Sequence, residues 1–224
     1  MPGAAVKSRN RWPGVLLVAA IMTTLPAWWQ IAWPVLTLDA FPQGRHVGHF
    51  NLLYTHALGG SVMLVAGAAA LALGWTRARP HLHRPVGYAY LLGGLWSTVS
   101  VLVVTLVHQH GSIGVRAATS SLALVWLLTA GMAYRAGRNR RFESHRDWMI
   151  RSYVLTWSFV FCRLTSQVPA VAAAGEEVGT ALTWATWVFP LLICEAALQW
   201  SAGAAPRSRR AASRAGLGEP ASGV

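Results

Sequence analysis

The sequence predicts an all-α membrane protein: a six-helix transmembrane bundle with a four-helix core made by spans two to five. Three observations predict it. Apolar residues make up 54% of the chain and charged residues only 12%, with a mean hydropathy of +0.40. The apolar residues lie in blocks of about 20, the length a helix needs to cross a bilayer. Sixteen of the 19 Lys and Arg fall on one side of the alternating blocks, which is the bias that orients a membrane protein.

The elements follow in order. Residues 1–12 carry Lys7, Arg9 and Arg11 and read as a cytoplasmic segment. The first span is placed at 13–34. Basic residues before an apolar run resemble a signal peptide. Here the run continues past Pro26 through Trp28, Trp29 and Trp33 without a small-x-small cleavage site, so an uncleaved helix is expected. Pro26 is expected to kink it. The remaining spans are placed at 51–74, 86–108, 116–135, 149–170 and 180–201. One transmembrane domain therefore covers 13–201, and 202–224 reads as a disordered, basic cytoplasmic tail.

The net charge is +12. In a soluble chain this would suggest nucleic acid. Here the basic residues sit between apolar blocks, so orientation and anionic headgroups account for them, and no nucleic-acid partner is expected. Both termini are expected in the cytoplasm, and Glu176 and Glu177 on the outer side. Cys162 and Cys194 lie in separate spans and read as small packing residues. Gly59-Gly60 and Gly93-Gly94 allow close helix approach. Trp96 and Trp126 lie deep in their spans and read as packing residues.

A short repeat links two helix hairpins. His83-Arg84 opens span three, and His145-Arg146 opens span five 62 residues later. Ser144 and Asp147 have the S-x-x-D form of a capping box and are expected to start helix five. Histidines sort into two depths. His83 and His145 lie at the cytoplasmic ends of their spans, and His56 and His108 towards the outer ends. His83 and His108 are 25 residues apart, about 37 Å along a helix, and cannot share a site.

Arg163 lies in the outer half of span five and Glu195 in the inner half of span six. Ionisable residues inside a bilayer are functional candidates. Their depths differ by about 10 Å. Arg151 is the better match for Glu195, and His56 for Arg163. Ser152, Thr156, Arg163 and Gln167 fall roughly on one face of span five, expected to face the bundle interior. That stripe also suits an interhelical hydrogen-bond network.

Two helices that each present a histidine can hold a haem iron from both faces, and nearby arginines can neutralise its propionates. The tentative haem residues are His56, His83, His108 and His145, with Arg84, Arg146 and Arg163 as charge partners. Haem b is the cofactor this pattern admits. His46, His49, His56, His108 and His110 could offer imidazoles to a metal, but no cysteine or carboxylate stands beside them, so no metal site is assigned. No Walker loop, GxSxG, HExxH or glycosidase-like carboxylate pair is present. No catalytic residue is assigned.

The segments HALGGSVMLVAG (56–67), HRPVGYAY (83–90) and HRDWMIRSY (145–153), with Arg163 and Glu195 downstream, resemble the bacterial predicted-membrane-protein family called domain of unknown function 2306. The resemblance runs from about His49 to Trp200. It implies a compact multi-span bundle in the bacterial cytoplasmic membrane and no particular reaction. A more distant resemblance is to six-helix dihaem cytochromes b that exchange electrons with ascorbate. Those place ligands on spans two to five, whereas span four of this chain has no histidine.

Three functional readings follow. The first is a membrane redox or haem-handling protein that exchanges electrons with a partner. The second is a non-catalytic bundle that assists or packs against another membrane complex. The third is a small-solute or proton-coupled transporter with Arg163 and Glu195 on the pathway. No pair of broken helices marks a transport site.

Overall fold

The structure, a computed structural model, describes residues 22–30, 50–76, 79–109 and 111–203. Residues 1–12, most of the first span, His46, His49, His110 and the tail beyond 203 lie outside the described residues. Those described are almost wholly helical, with no strand among them. Residues 22–30 form α1. The long helices α2 (Phe50–Thr76), α3 (Pro80–Leu102), α4 (Ile113–Arg138) and α8 (Glu176–Gly203) correspond to expected spans two, three, four and six. Four helices are long and apolar enough to cross a membrane.

Local chemistry explains most boundaries. Pro80 sits in the first turn of α3, where its missing N–H costs nothing. A π-helical turn, Val103–Val107, ends that span, and Thr105 Oγ1 there donates to the Val101 carbonyl at 2.8 Å. Ser112 caps α4 by accepting from the Val115 N–H at 3.2 Å. Arg135 and Arg138 complement the carbonyl end of α4. Glu176 and Glu177 complement the amide end of α8.

The fifth span departs from expectation in two ways. First, α5 (Phe142–Thr156) starts at Phe142 with no side-chain cap. The His145 N–H already bonds the Arg141 carbonyl at 2.8 Å. Ser144 and Asp147 therefore lie inside the helix and do not cap it, and Asp147 pairs with Arg146 instead. Second, the expected 149–170 run is divided into α5, α6 (Ser158–Ser166) and α7 (Pro169–Ala173). At the break, the Trp157 N–H is shared between the carbonyls of Tyr153 at 3.3 Å and Val154 at 3.2 Å. Ser158 Oγ donates to the Leu155 carbonyl at 2.6 Å, the local side-chain bonding that bends helices. Before Pro169, Val168 is extended, as the proline ring requires.

The four-helix core is made by α2 with α3, α4 with α5, and contacts of α2 with α5 and α3 with α4. Helix α8 packs outside it on α4, α5 and α6. Met63, Tyr90, Trp126, Met149, Tyr153 and Leu155 fill its centre. Trp126 is buried as expected, but Trp96 is 61% exposed and faces outward with Leu92, Leu95 and Val99. An outward apolar surface of this kind is what lipid requires. Where α2 and α3 cross, small residues bring the backbones together. A Cβ on Gly59 would stand 2.8 Å from the Gly93 carbonyl oxygen, and one on Gly93 would stand 3.0 Å from that of Gly59.

Candidate functional site

At the basic end of the bundle, the first turns of α3 and α5 carry His83 and His145. Each ring folds back onto the preceding helix of its own hairpin. His83 Nδ1 donates to the Ala70 carbonyl at 3.1 Å, and His145 Nδ1 to the Ala133 carbonyl at 2.8 Å. A carbonyl can only accept, so each Nδ1 carries the hydrogen and Nε2 of the neutral ring is left bare. Glycine makes room for both rings. A Cβ at Gly74 would lie 3.2 Å from His83 Cε1, and one at Gly137 would lie 3.0 Å from His145 Nδ1. The two rings meet with centroids 6.1 Å apart and planes at 83°.

The repeat thus extends beyond the two histidines. Ala133 and Gly137 follow Ala70 and Gly74 by 63 residues, and perform the same task for the second ring. Equivalent residues of two hairpins meet at the basic end of the bundle.

Charges surround this end. Arg84 is exposed, and exposed Arg146 bonds Asp147 through Nε at 3.0 Å and through a terminal nitrogen at 2.9 Å. Arg151 is joined to Glu195 at 2.7 Å and 2.8 Å, and its guanidinium carbon lies 4.9 Å from the Trp148 ring centroid. Gln199 donates to the other Glu195 oxygen at 2.8 Å. The pair with matching depths is therefore the pair that forms.

In mid-bundle, the Tyr90 hydroxyl is bonded to Ser152 Oγ, lies 3.2 Å from Thr156 Oγ1 and accepts from Trp126 Nε1 at 3.2 Å. Tyr153 bonds Thr24 of α1 at 2.9 Å and donates to the Leu64 carbonyl at 3.3 Å. Sequence reasoning gave neither tyrosine a role. The available signal was the tyrosine that closes both His-Arg segments. Of the polar stripe expected to face the interior, Ser152 and Thr156 are buried, while Arg163 and Gln167 are exposed, because the break at Trp157 separates α6 from the face that α5 buries.

Towards the opposite end lies a cavity of about 410 Å³ lined by residues of α2 to α6 and α8, among them His56, Thr119, Trp126 and Arg163. His56 Nδ1 donates to the Ser97 carbonyl at 2.9 Å, and Ser97 Oγ donates back to the His56 carbonyl at 3.0 Å. His56 also meets Phe159 edge to face at 6.2 Å. The structure does not bring His56 and His108 to one level. Thr55 bonds Ser100 across the hairpin at 3.3 Å. His108 lies a further eight residues along, roughly 12 Å of helical rise. It is exposed and outside the cavity that His56 lines.

Fold and site together define a polytopic helical membrane protein with a histidine pair at its basic end and, towards the other, a largely apolar cavity that His56 and Arg163 line. The chain belongs to the family described as predicted membrane protein DUF2306, whose model matches residues 53–198. No curated protein and no solved structure matches it.

Proposed function

We propose that this is a haem-binding redox protein of the bacterial cytoplasmic membrane, with one haem b held by His83 and His145. Both termini face the cytoplasm, as the positive-inside bias directs. The observation that carries the reading is the His83–His145 geometry. Two imidazoles on opposite faces of an iron have centroids roughly 6 Å apart, from bonds of about 2 Å and a ring radius of about 1 Å. The centroid separation here is 6.1 Å with the planes at 83°, a spacing that edge-to-face ring packing also gives. The bonds from Nδ1 to Ala70 and Ala133 supply the outer-shell contact that sets tautomer and ring orientation in a ligand. Arg84 and Arg146 are exposed at the same end and suit two propionates. A bound haem would supply one-electron transfer with a membrane partner. The protein's part is to orient the two rings and hold the two Nε2 atoms bare. His56 and His108 do not fit a second haem, because their levels differ.

The test is a reduced-minus-oxidised spectrum of the full chain purified from haem-replete cells. A low-spin b-type signal is expected, and His83→Ala and His145→Ala should each abolish it, while His108→Ala should not. No haem recovered by extraction from the wild type would overturn the reading and leave the polar layers as packing of a non-catalytic bundle.

A further inference from the structure

The cavity lined by His56 and Arg163 is left without a task by the haem reading. We infer that it binds a small organic hydroxy acid, with the carboxylate on Arg163, a hydroxyl on His56 Nε2 and the apolar body against the cavity wall. Three features carry this. First, the volume of about 410 Å³ lies within the range of small-molecule sites. Its wall is apolar where Met63, Leu122, Trp126 and Phe159 contribute, with a few polar groups set among them.

Second, Arg163 has no carboxylate partner among the described residues, whose ion pairs are Arg146–Asp147 and Arg151–Glu195. No Asp or Glu lines the cavity. Arg163 is exposed yet lines the cavity, so its guanidinium is open to a ligand, and its planar fork matches a carboxylate. Third, the tautomer of His56 is set by Ser97, whose carbonyl takes the Nδ1 hydrogen. Nε2 is left as an acceptor, so it recognises a hydroxyl and not a second anionic oxygen.

The two hairpins also differ here. Thr119 follows His56 by 63 residues, the offset that relates Ala70 to Ala133. At the basic end two imidazoles meet. At this end the equivalent positions hold one imidazole and one threonine, and both line the cavity. On the inner wall, Trp126 and Thr156 are held by the Tyr90 hydroxyl, so the cavity has a braced floor.

The test is equilibrium dialysis of the detergent-purified full chain against 4-hydroxybenzoate, with benzoate and 4-hydroxybenzamide as comparators. This readout needs no haem signal, so it stands or falls apart from the basic-end site. The wild type should prefer 4-hydroxybenzoate over the amide about tenfold or more, the scale of a charge-assisted pair. Arg163→Gln should erase that preference. His56→Ala should erase the smaller preference over benzoate and keep the preference over the amide. If Arg163→Gln does not fold, Arg163→Lys should reduce the preference, because it keeps the charge and loses the fork. Displacement of the probe by phosphatidylglycerol, dependent on Arg163, would assign the same anion-and-hydroxyl chemistry to a lipid headgroup. No saturable binding of either compound, or equal affinity for acid and amide, would overturn the inference.

Discussion

The imidazoles of His83 and His145 stand with centroids 6.1 Å apart, and each is held by a carbonyl of the helix before it. The contact is made by the same device twice: an alanine carbonyl, a glycine one turn later, and a histidine folded back across the turn. The position of each ring therefore depends on a residue that has no side chain.

Gly74→Ala and Gly137→Ala should each displace one ring, since the added Cβ would stand 3.2 Å and 3.0 Å from its atoms. Losing an outer-shell contact of this kind lowers ligand affinity about 10–100-fold. Haem content of the two variants, measured against Gly87→Ala, checks this. A Cβ at Gly87 meets nothing within 4 Å, so that variant should match the wild type.

Tyr90→Phe removes the shared partner of Ser152, Thr156 and Trp126. A buried donor left unsatisfied costs about 1–3 kcal/mol. Ser152→Ala should cost less, because Tyr90 keeps Thr156 and Trp126. Thermal unfolding in detergent, followed by tryptophan fluorescence, should rank the two in that order.

Gly94→Ala should destabilise by about 1–3 kcal/mol, the cost of overpacking. Its Cβ would overlap the Trp126 ring and come within 2.8 Å of Met63 Sδ. Gly131→Ala should do the reverse and stabilise by up to about 1 kcal/mol, since a Cβ there meets nothing within 4 Å and the helix gains a better former. Opposite signs from two glycine-to-alanine changes, read from paired melting curves, are the expected result.

Glu195→Gln should cost only about 1 kcal/mol or less. Its bond to Arg151 is short at 2.7 Å, but the carboxylate side chain is 41% exposed, and exposed pairs are screened. The difference from the wild type should shrink as salt is raised. A loss several times larger, unchanged by salt, would show that the pair sits in a drier place than its exposure indicates.

Much of this architecture was legible in the sequence. Apolar block length placed spans two, three, four and six, and the equal positions of His83 and His145 in two hairpins placed them at one level. Depth counting matched Arg151 with Glu195. What escaped has a common cause. Lipid is as apolar as the bundle interior, so polarity does not say which face of a span points inward. Trp96 and Trp126 look alike in sequence, yet one faces outward and the other is buried. The break at Trp157 escaped because serine and threonine bonding to carbonyls leaves no mark on hydropathy. The Ser144–Asp147 motif misled because a tight turn, with Arg140 at φ 56, starts α5 before it.

The crossing of Gly59 and Gly93 has a mechanical consequence. Helices whose backbones touch have no side-chain layer to slide on, so α2 and α3 move as one stiff plate. The α4–α5 hairpin is joined to that plate through side chains, Tyr90 with Ser152 and Trp126 and Tyr153 with the Leu64 carbonyl. Because each hairpin carries one histidine at the basic end, the spacing of the two rings is set by how the hairpins seat on one another.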